Sequence, residues 1–111
     1  MKNKIKKLIK EVVKKAADRI KPSKVILFGS YAYGKPNKDS DVDLLFIKNT
    51  KLTGIKRYSW ATENIGHPFP MDILVKTPAE VKKRLAMGDP FYKEIISKGK
   101  IVYESTNQRT S

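Results

Sequence analysis

Apolar positions along the chain recur with two different periods. Between residues 2 and 20, Ile5, Leu8, Ile9, Val12, Val13, Ala16 and Ile20 fall at three- and four-residue spacing, which predicts an amphipathic helix. Lys2, Lys6, Lys7, Lys10 and Lys14 lie largely off that stripe, and Pro22 stops the helix because its ring is incompatible with a further turn. The stripe fits core packing against a sheet. A helix lying on a membrane surface would carry Trp or Phe on its apolar face, and this one has neither.

Beyond Pro22 the apolar residues come in short continuous runs. Val25-Ile26-Leu27-Phe28 predicts a strand over 24–28, and Leu44-Leu45-Phe46-Ile47 a second over 41–48, antiparallel to the first. Runs without polar interruption suit strands buried on both faces. Leu52, Ile55, Tyr58 (or Ser59) and Thr62 have approximate helical spacing and predict a helix over 52–65, with Gly54 and Gly66 working against it. A third strand is expected over 70–76. Thr77-Pro78-Ala79-Glu80 has the order of a helix start: a capping hydroxyl, proline in the first turn and an acid behind it. That helix runs to about Ala86. Gly88-Asp89-Pro90 then ends it and opens another, Phe91 to Ser97, closed by Gly99. A short strand over 100–103 follows, and residues 105–111 lack apolar anchors and read as a disordered tail. The expected class is therefore α+β, with a small mixed sheet of about four strands flanked by helices. One domain over 1–104 accounts for 111 residues, with no internal repeat or linker.

Composition changes this picture in three ways. There are no cysteines, which excludes disulfides and thiolate metal sites. No apolar run is long enough to span a membrane, and the lysine-rich start lacks the contiguous apolar stretch of a secretory signal, so a cytoplasmic location is expected. The formal net charge is +13, and residues 1–24 alone hold ten Lys and Arg against two acids. Such a basic stripe favours polyanions or an acidic protein surface, or is simply a solvated helix face.

The chemistry concentrates between Val25 and Ile47. The first strand ends in Gly29-Ser30, which opens a short helical turn whose free N–H groups can hold a phosphate. Gly29 lets the chain approach that phosphate without a Cβ, and Ser30 adds a hydroxyl. Asp41 and Asp43 stand at alternate positions entering the second strand. They point the same way, roughly 7 Å apart. Like charges so placed repel unless a cation sits between them, and hard divalent cations prefer oxygen ligands. Asp43 and Asp72 both lie inside strands, where aspartate is disfavoured, and Asp72 shares a face with Leu74 rather than Met71. If the second and third strands are neighbours, the three carboxylates converge on one edge of the sheet. A phosphate cradle beside carboxylates predicts metal-assisted phosphoryl transfer from a nucleotide.

Phe28-Gly29-Ser30 and, after ten intervening residues, Asp41-Val42-Asp43-Leu44 resemble the signature of the DNA polymerase β-type nucleotidyltransferase superfamily. GSYAYG followed by SDVDLL resembles its minimal nucleotidyltransferase family. Pro70–Val75, Thr77–Val81 and Ser97–Glu104 extend the likeness over about residues 5–104. Tyr33 stands where many members carry arginine. The resemblance implies a polymerase β-like fold, and Gly29 and Ser30 as nucleotide-binding residues. It also implies two Mg²⁺ ions, or Mn²⁺, held by Asp41, Asp43 and Asp72, with Asp72 activating the attacking hydroxyl. The donor would be ATP and the product an AMP adduct. In that family the acceptor looks like a tyrosine on a helical HEPN partner, the chain being the antitoxin of a toxin–antitoxin pair.

Other residues carry less. Asp39 and Ser40 suit turn formation, Lys35 and Lys38 solvent, and Gly34 a plain turn. His67, the single histidine, sits in a loop without further zinc ligands. Trp60 reads as a packing residue before a base-stacking one, and so do Tyr31, Tyr33 and Tyr58 near the proposed site. Two other functions compete: an antitoxin acting by contact alone, and a basic nucleic-acid-binding protein. The second expects aromatics interleaved with the basic face, and the lysine-rich helix has none.

Overall fold

The computed structural model of the chain describes residues 3–106. Its elements run α1 (Asn3–Ile20), β1 (Lys24–Phe28), α2 (Ser30–Tyr33), β2 (Val42–Ile47), α3 (Gly54–Thr62), β3 (Met71–Lys76), α4 (Pro78–Ala86), α5 (Pro90–Lys98) and β4 (Lys100–Glu104). Lys2 and residues 107–111, the bulk of the expected tail, lie outside the described residues.

The four strands form one sheet in the order β3-β2-β1-β4. β1 is antiparallel to β2 and to β4, whereas β2 and β3 run parallel. The parallel pair needs a crossover, and the segment carrying α3 supplies it. Because β1 and β2 are central, both their faces are covered, which is why their sequences are apolar at every position but one. Leu44, Leu45 and Phe46 are wholly inaccessible to solvent, each contributing on the order of 2 kcal/mol of burial.

Alternation along the strands sorts their side chains into two cores. On one face Val25, Leu27, Leu44, Phe46, Ile73 and Val75 meet the stripe of α1 and Ala61 of α3. On the other, Ile26, Phe28, Leu45 and Ile47 meet Val81 of α4 and Tyr92 and Ile95 of α5. The result is a mixed α+β architecture with helices on both faces, as expected.

Two short helices owe their start to local chemistry. Thr77 and Glu80 form a reciprocal cap: the Thr77 hydroxyl accepts from the Glu80 N–H at 3.1 Å, and the Glu80 carboxylate accepts from the Thr77 N–H at 2.8 Å. Asp89 caps α5, accepting from the Phe91 N–H at 3.0 Å, with Pro90 in the first turn.

α3 departs from the expected face. Ile55 is 84% exposed and Tyr58 and Leu52 are exposed too. The buried positions are Arg57 and Ala61, with Trp60 half-buried between them. Trp60 packs against the α1-side core under the Arg19 guanidinium, which lies 5.9 Å from the ring. Arg57 is a buried charge made tolerable by its partners. Its Nε donates to the Leu52 carbonyl at 2.7 Å, and its Nη1 donates to the Val75 carbonyl at 3.2 Å and to Glu80 Oε1 at 2.6 Å. One side chain thus ties α3 to the end of β3 and to the cap of α4.

The hydrogen bond from Arg57 holds the Glu80 carboxyl below the usual glutamate range. A carboxyl depressed by folding adds stability above its unfolded pKa and loses it as pH falls through the folded one. Glu80→Gln is therefore expected to lower stability by about 1 kcal/mol at pH 7, the low end for a charged hydrogen bond because Glu80 is partly exposed. Urea melts of the two proteins should converge on acidification. A gap that persists at low pH would assign the effect to shape rather than charge.

Candidate active site

Gly29, Ser30, Asp41, Asp43 and Asp72 are brought to one end of the sheet, where β1 ends and β2 and β3 begin. Parallel pairing puts Asp43 and Asp72 in direct register, on strands about 4.8 Å apart. Antiparallel pairing puts Phe28, and so Gly29 just beyond it, beside Asp43. Asp41 stands one residue before β2, on the same side as Asp43 by strand alternation. The three carboxylates thus share the sheet face that α4 and α5 cover further along. Asp43 is half-buried, while Asp41 and Asp72 are exposed.

Burial, then the charge of Asp72, then that of Asp41, push the Asp43 carboxyl above its ordinary range. This is the electrostatic signature of negative groups held together by the fold rather than by mutual attraction.

Gly29 is tightly constrained. Its φ of 75° and ψ of −157° lie where side chains are essentially excluded. A Cβ there would stand 2.1 Å from Asp43 Oδ2. The turn and the carboxylate therefore occupy adjoining space, which only glycine leaves free. The helical bonds of α2 begin with the Ala32 and Tyr33 N–H groups donating to the Gly29 carbonyl, each at 3.0 Å. The N–H groups of Ser30 and Tyr31 precede them. Among the described residues the Ser30 hydroxyl meets no protein partner.

The sequence model of the nucleotidyltransferase domain family matches residues 5–103. The chain belongs to that family. Its fold is similar to that of a proposed nucleotidyltransferase from Sulfolobus solfataricus known from a crystal structure. The TM-score is 0.65 at 22% identity, over 91% of this chain and 81% of that one. At that identity the likeness speaks for the fold alone. No curated protein matches the chain.

Nucleotidyltransferase domains typically use a nucleoside triphosphate and a divalent metal, so the donor set must be weighed against such an ion. It is all oxygen, and its innermost member, Asp43, is disfavoured in its ionised form by burial and then by the charges of its neighbours. That chemistry fits a hard divalent cation. Among the described residues no three acidic or histidine side chains already enclose an ion position.

The surrounding residues sort themselves by structure. Asp39 and Ser40 are turn-formers: the Asp39 N–H donates to Asn37 Oδ1 at 2.8 Å and the Ser40 hydroxyl accepts from the Asn37 N–H at 2.9 Å. Lys35, Lys38 and Tyr31 line a cleft of about 880 Å³ beneath the α2–β2 loop, on the α1 side of the sheet. Tyr58 rides on α3, also on that side. His67 is exposed in its loop.

Sequence reading missed an exposed aromatic packed on Phe28, at the end of β1. Phe91 of α5 is 48% exposed and sits edge-on to Phe28, with ring centres 5.8 Å apart. Phe28 is in turn the register neighbour of Asp43. No linear spacing relates residues 28, 43 and 91. The one available signal was a large apolar residue directly after the Asp89-Pro90 helix start.

Proposed function

We propose that this nucleotidyltransferase domain moves AMP from ATP to a hydroxyl on a separate macromolecule. The observation that carries this is the register of Asp43 against Asp72, with Asp41 one step outside and Gly29-Ser30 alongside. Asp41, Asp43 and Asp72 would hold the divalent ions, two Mg²⁺ or Mn²⁺. When bound, such ions neutralise charge on the attacking and leaving oxygens of an in-line displacement. Ser30 offers its N–H and hydroxyl to the β- and γ-phosphates. Asp72, exposed at the outer strand of the group, takes the proton of the acceptor hydroxyl as that oxygen bonds to the α-phosphorus and pyrophosphate leaves.

Because Asp41 and Asp72 are exposed, the face where an acceptor arrives is open. An open face suits a macromolecule presenting its own hydroxyl. Together with the likeness to minimal nucleotidyltransferases, this favours a HEPN-type helical protein as acceptor, with this chain as its antitoxin.

The test is incubation of the protein with labelled ATP, Mg²⁺ and the product of the neighbouring gene. Mass spectrometry should find one added AMP on the partner, lost when EDTA is present. Binding of the partner without added AMP would leave a contact-only antitoxin. A finer expectation concerns Ser30→Ala. Loss of one hydroxyl donor to a charged phosphate should raise KM for ATP about tenfold, for an interaction worth roughly 1.5 kcal/mol. An unchanged KM would place the phosphates elsewhere.

A further inference from the structure

We infer that the groove between α1 and the free edge of β4 is a docking site for an extended, acidic segment of a partner protein, which joins the sheet as a fifth strand. This concerns binding alone and stands whether or not the carboxylates transfer a nucleotide.

β4 ends the sheet, and no described strand pairs with its outer side. An open edge presents unpaired N–H and C=O groups, which proteins commonly blunt with lysine, proline, a bulge or a covering loop. β4 carries Lys100 and one register shift, opposite Val25/Ile26, and neither a proline nor a covering strand among the described residues. Here the middle of β4 is Ile101-Val102, 53% and 37% exposed. Beside this edge lies a groove of about 570 Å³, floored by Leu27 and the inner side of α1 and walled by Ile101, Val102 and Tyr103. An apolar cleft along an open strand has the form that takes an added strand, whose main chain completes the ladder while alternate side chains fill the cleft.

The rim states the sign of the occupant. Lys6, Lys10, Lys14 and Lys100 line the groove. The one acid among its lining residues, Asp18, pairs with Lys14 at 3.1 Å, so the excess positive charge rests on Lys6, Lys10 and Lys100, which form no ion pair among the described residues. Lys6, Lys10 and Lys14 are one helical turn apart and form a row about 12 Å long. That is the reach of about four residues of extended chain. On an added strand alternate side chains point to opposite faces of the sheet, so those on the α1 side meet both the apolar floor and the lysine rim, and long acidic side chains among them reach the lysines. A second copy of the chain is the wrong occupant. Pairing β4 with β4 would set two lysine rows together on molecules of net charge +13.

The probe is a fluorescent eight-residue peptide alternating valine and glutamate, titrated against the full chain by anisotropy over a salt series. It should bind, and more weakly as salt rises. A peptide of equal charge with proline replacing valine cannot complete the ladder and should bind at least about tenfold more weakly. Lys6→Glu/Lys10→Glu/Lys14→Glu should weaken the first peptide by about tenfold or more, with an unchanged thermal melt. Amide exchange over 100–104 should slow in the complex. Should the triple variant fail to fold, Lys100→Glu and the exchange pattern carry the same decision. Failure of the valine–glutamate peptide to bind overturns the inference. So does equal binding of the proline peptide, which would reduce the site to charge alone. So does self-association of the chain through β4.

Discussion

Asp43→Asn is expected to abolish nucleotidyl transfer and, in the absence of metal, to make the protein more stable at pH 7. Both effects arise from one arrangement. Asp43 is pressed between burial and the charges of Asp72 and Asp41, which raise its pKa. A carboxyl whose pKa rises on folding favours the folded state only when protonated. Its contribution is therefore most favourable at low pH and is lost as pH rises toward and through the folded value. Above the unfolded pKa the raised carboxyl weighs against the fold, and an amide of the same shape removes that weight. Tm should rise by a few degrees, since about 1 kcal/mol corresponds to ~4–8 °C in a domain of this size. The same change takes away a charged oxygen from the group proposed to hold the divalent ions. Stabilisation by such ions amounts to several kcal/mol in the transition state. At 1.36 kcal/mol per tenfold, its loss slows transfer by about 10³ or more. Thermal melts with EDTA and a labelled-ATP assay on one preparation read both. Transfer that survives in the folded variant rejects Asp43 as a ligand. A Tm that falls instead means that Asp43 is held by attraction in the fold, against its register with Asp72. Adding Mg²⁺ and ATP should raise the parent Tm and leave that of Asp43→Asn nearly unmoved, because only a bound ligand stabilises.

What could be read from the chain beforehand divides along a physical line. Local chemistry was legible. The three- and four-residue period made α1, continuous apolar runs made β1 and β2, Thr77-Pro78 and Asp89-Pro90 opened α4 and α5, and Gly29-Ser30 marked a tight turn. Each depends on neighbours within about four residues. The sharing of a face by Asp41 and Asp43 was equally local. The meeting of Asp43 with Asp72 was only conditional, because strand adjacency and register depend on the whole sheet.

α3 shows where local reading fails. Its visible stripe, Leu52, Ile55 and Tyr58, faces outward. The helix is held instead by Arg57, whose partners are Leu52, Val75 and Glu80. An arginine in a polar stretch looks like a surface residue until its acceptors are known, and two of these lie 18 and 23 residues away. Phe91 beside Phe28 is a meeting of the same kind. Clefts such as the one along β4 arise between elements distant in sequence and leave no periodic trace.

Gly29→Ala should cost both stability and activity, through two causes that can be separated. The first is the backbone. At φ 75° and ψ −157° an alanine is strained whatever surrounds it, by about 1–3 kcal/mol. The second is Asp43, whose Oδ2 stands 2.1 Å from where the new Cβ would be. The carboxylate must swing aside, and misplacing a reacting group by about 1 Å costs on the order of 10²-fold in rate. Gly29→Val adds a branched side chain and should be worse. Tm of Gly29→Ala should fall by roughly 5–20 °C at ~4–8 °C per kcal/mol. A double-mutant cycle with Asp43→Ala separates the causes. Removing the carboxylate abolishes the collision and leaves the dihedral strain. The loss of stability from Gly29→Ala should then be smaller in the Asp43→Ala background, by a coupling within the ~0.5–3 kcal/mol seen for residues in contact. Additive losses would mean that the turn and the carboxylate do not share space, and the close fit of phosphate turn to carboxylate would have to be abandoned. A coupling of the expected size ties Gly29 to Asp43 through their shape, independently of any assay for transfer.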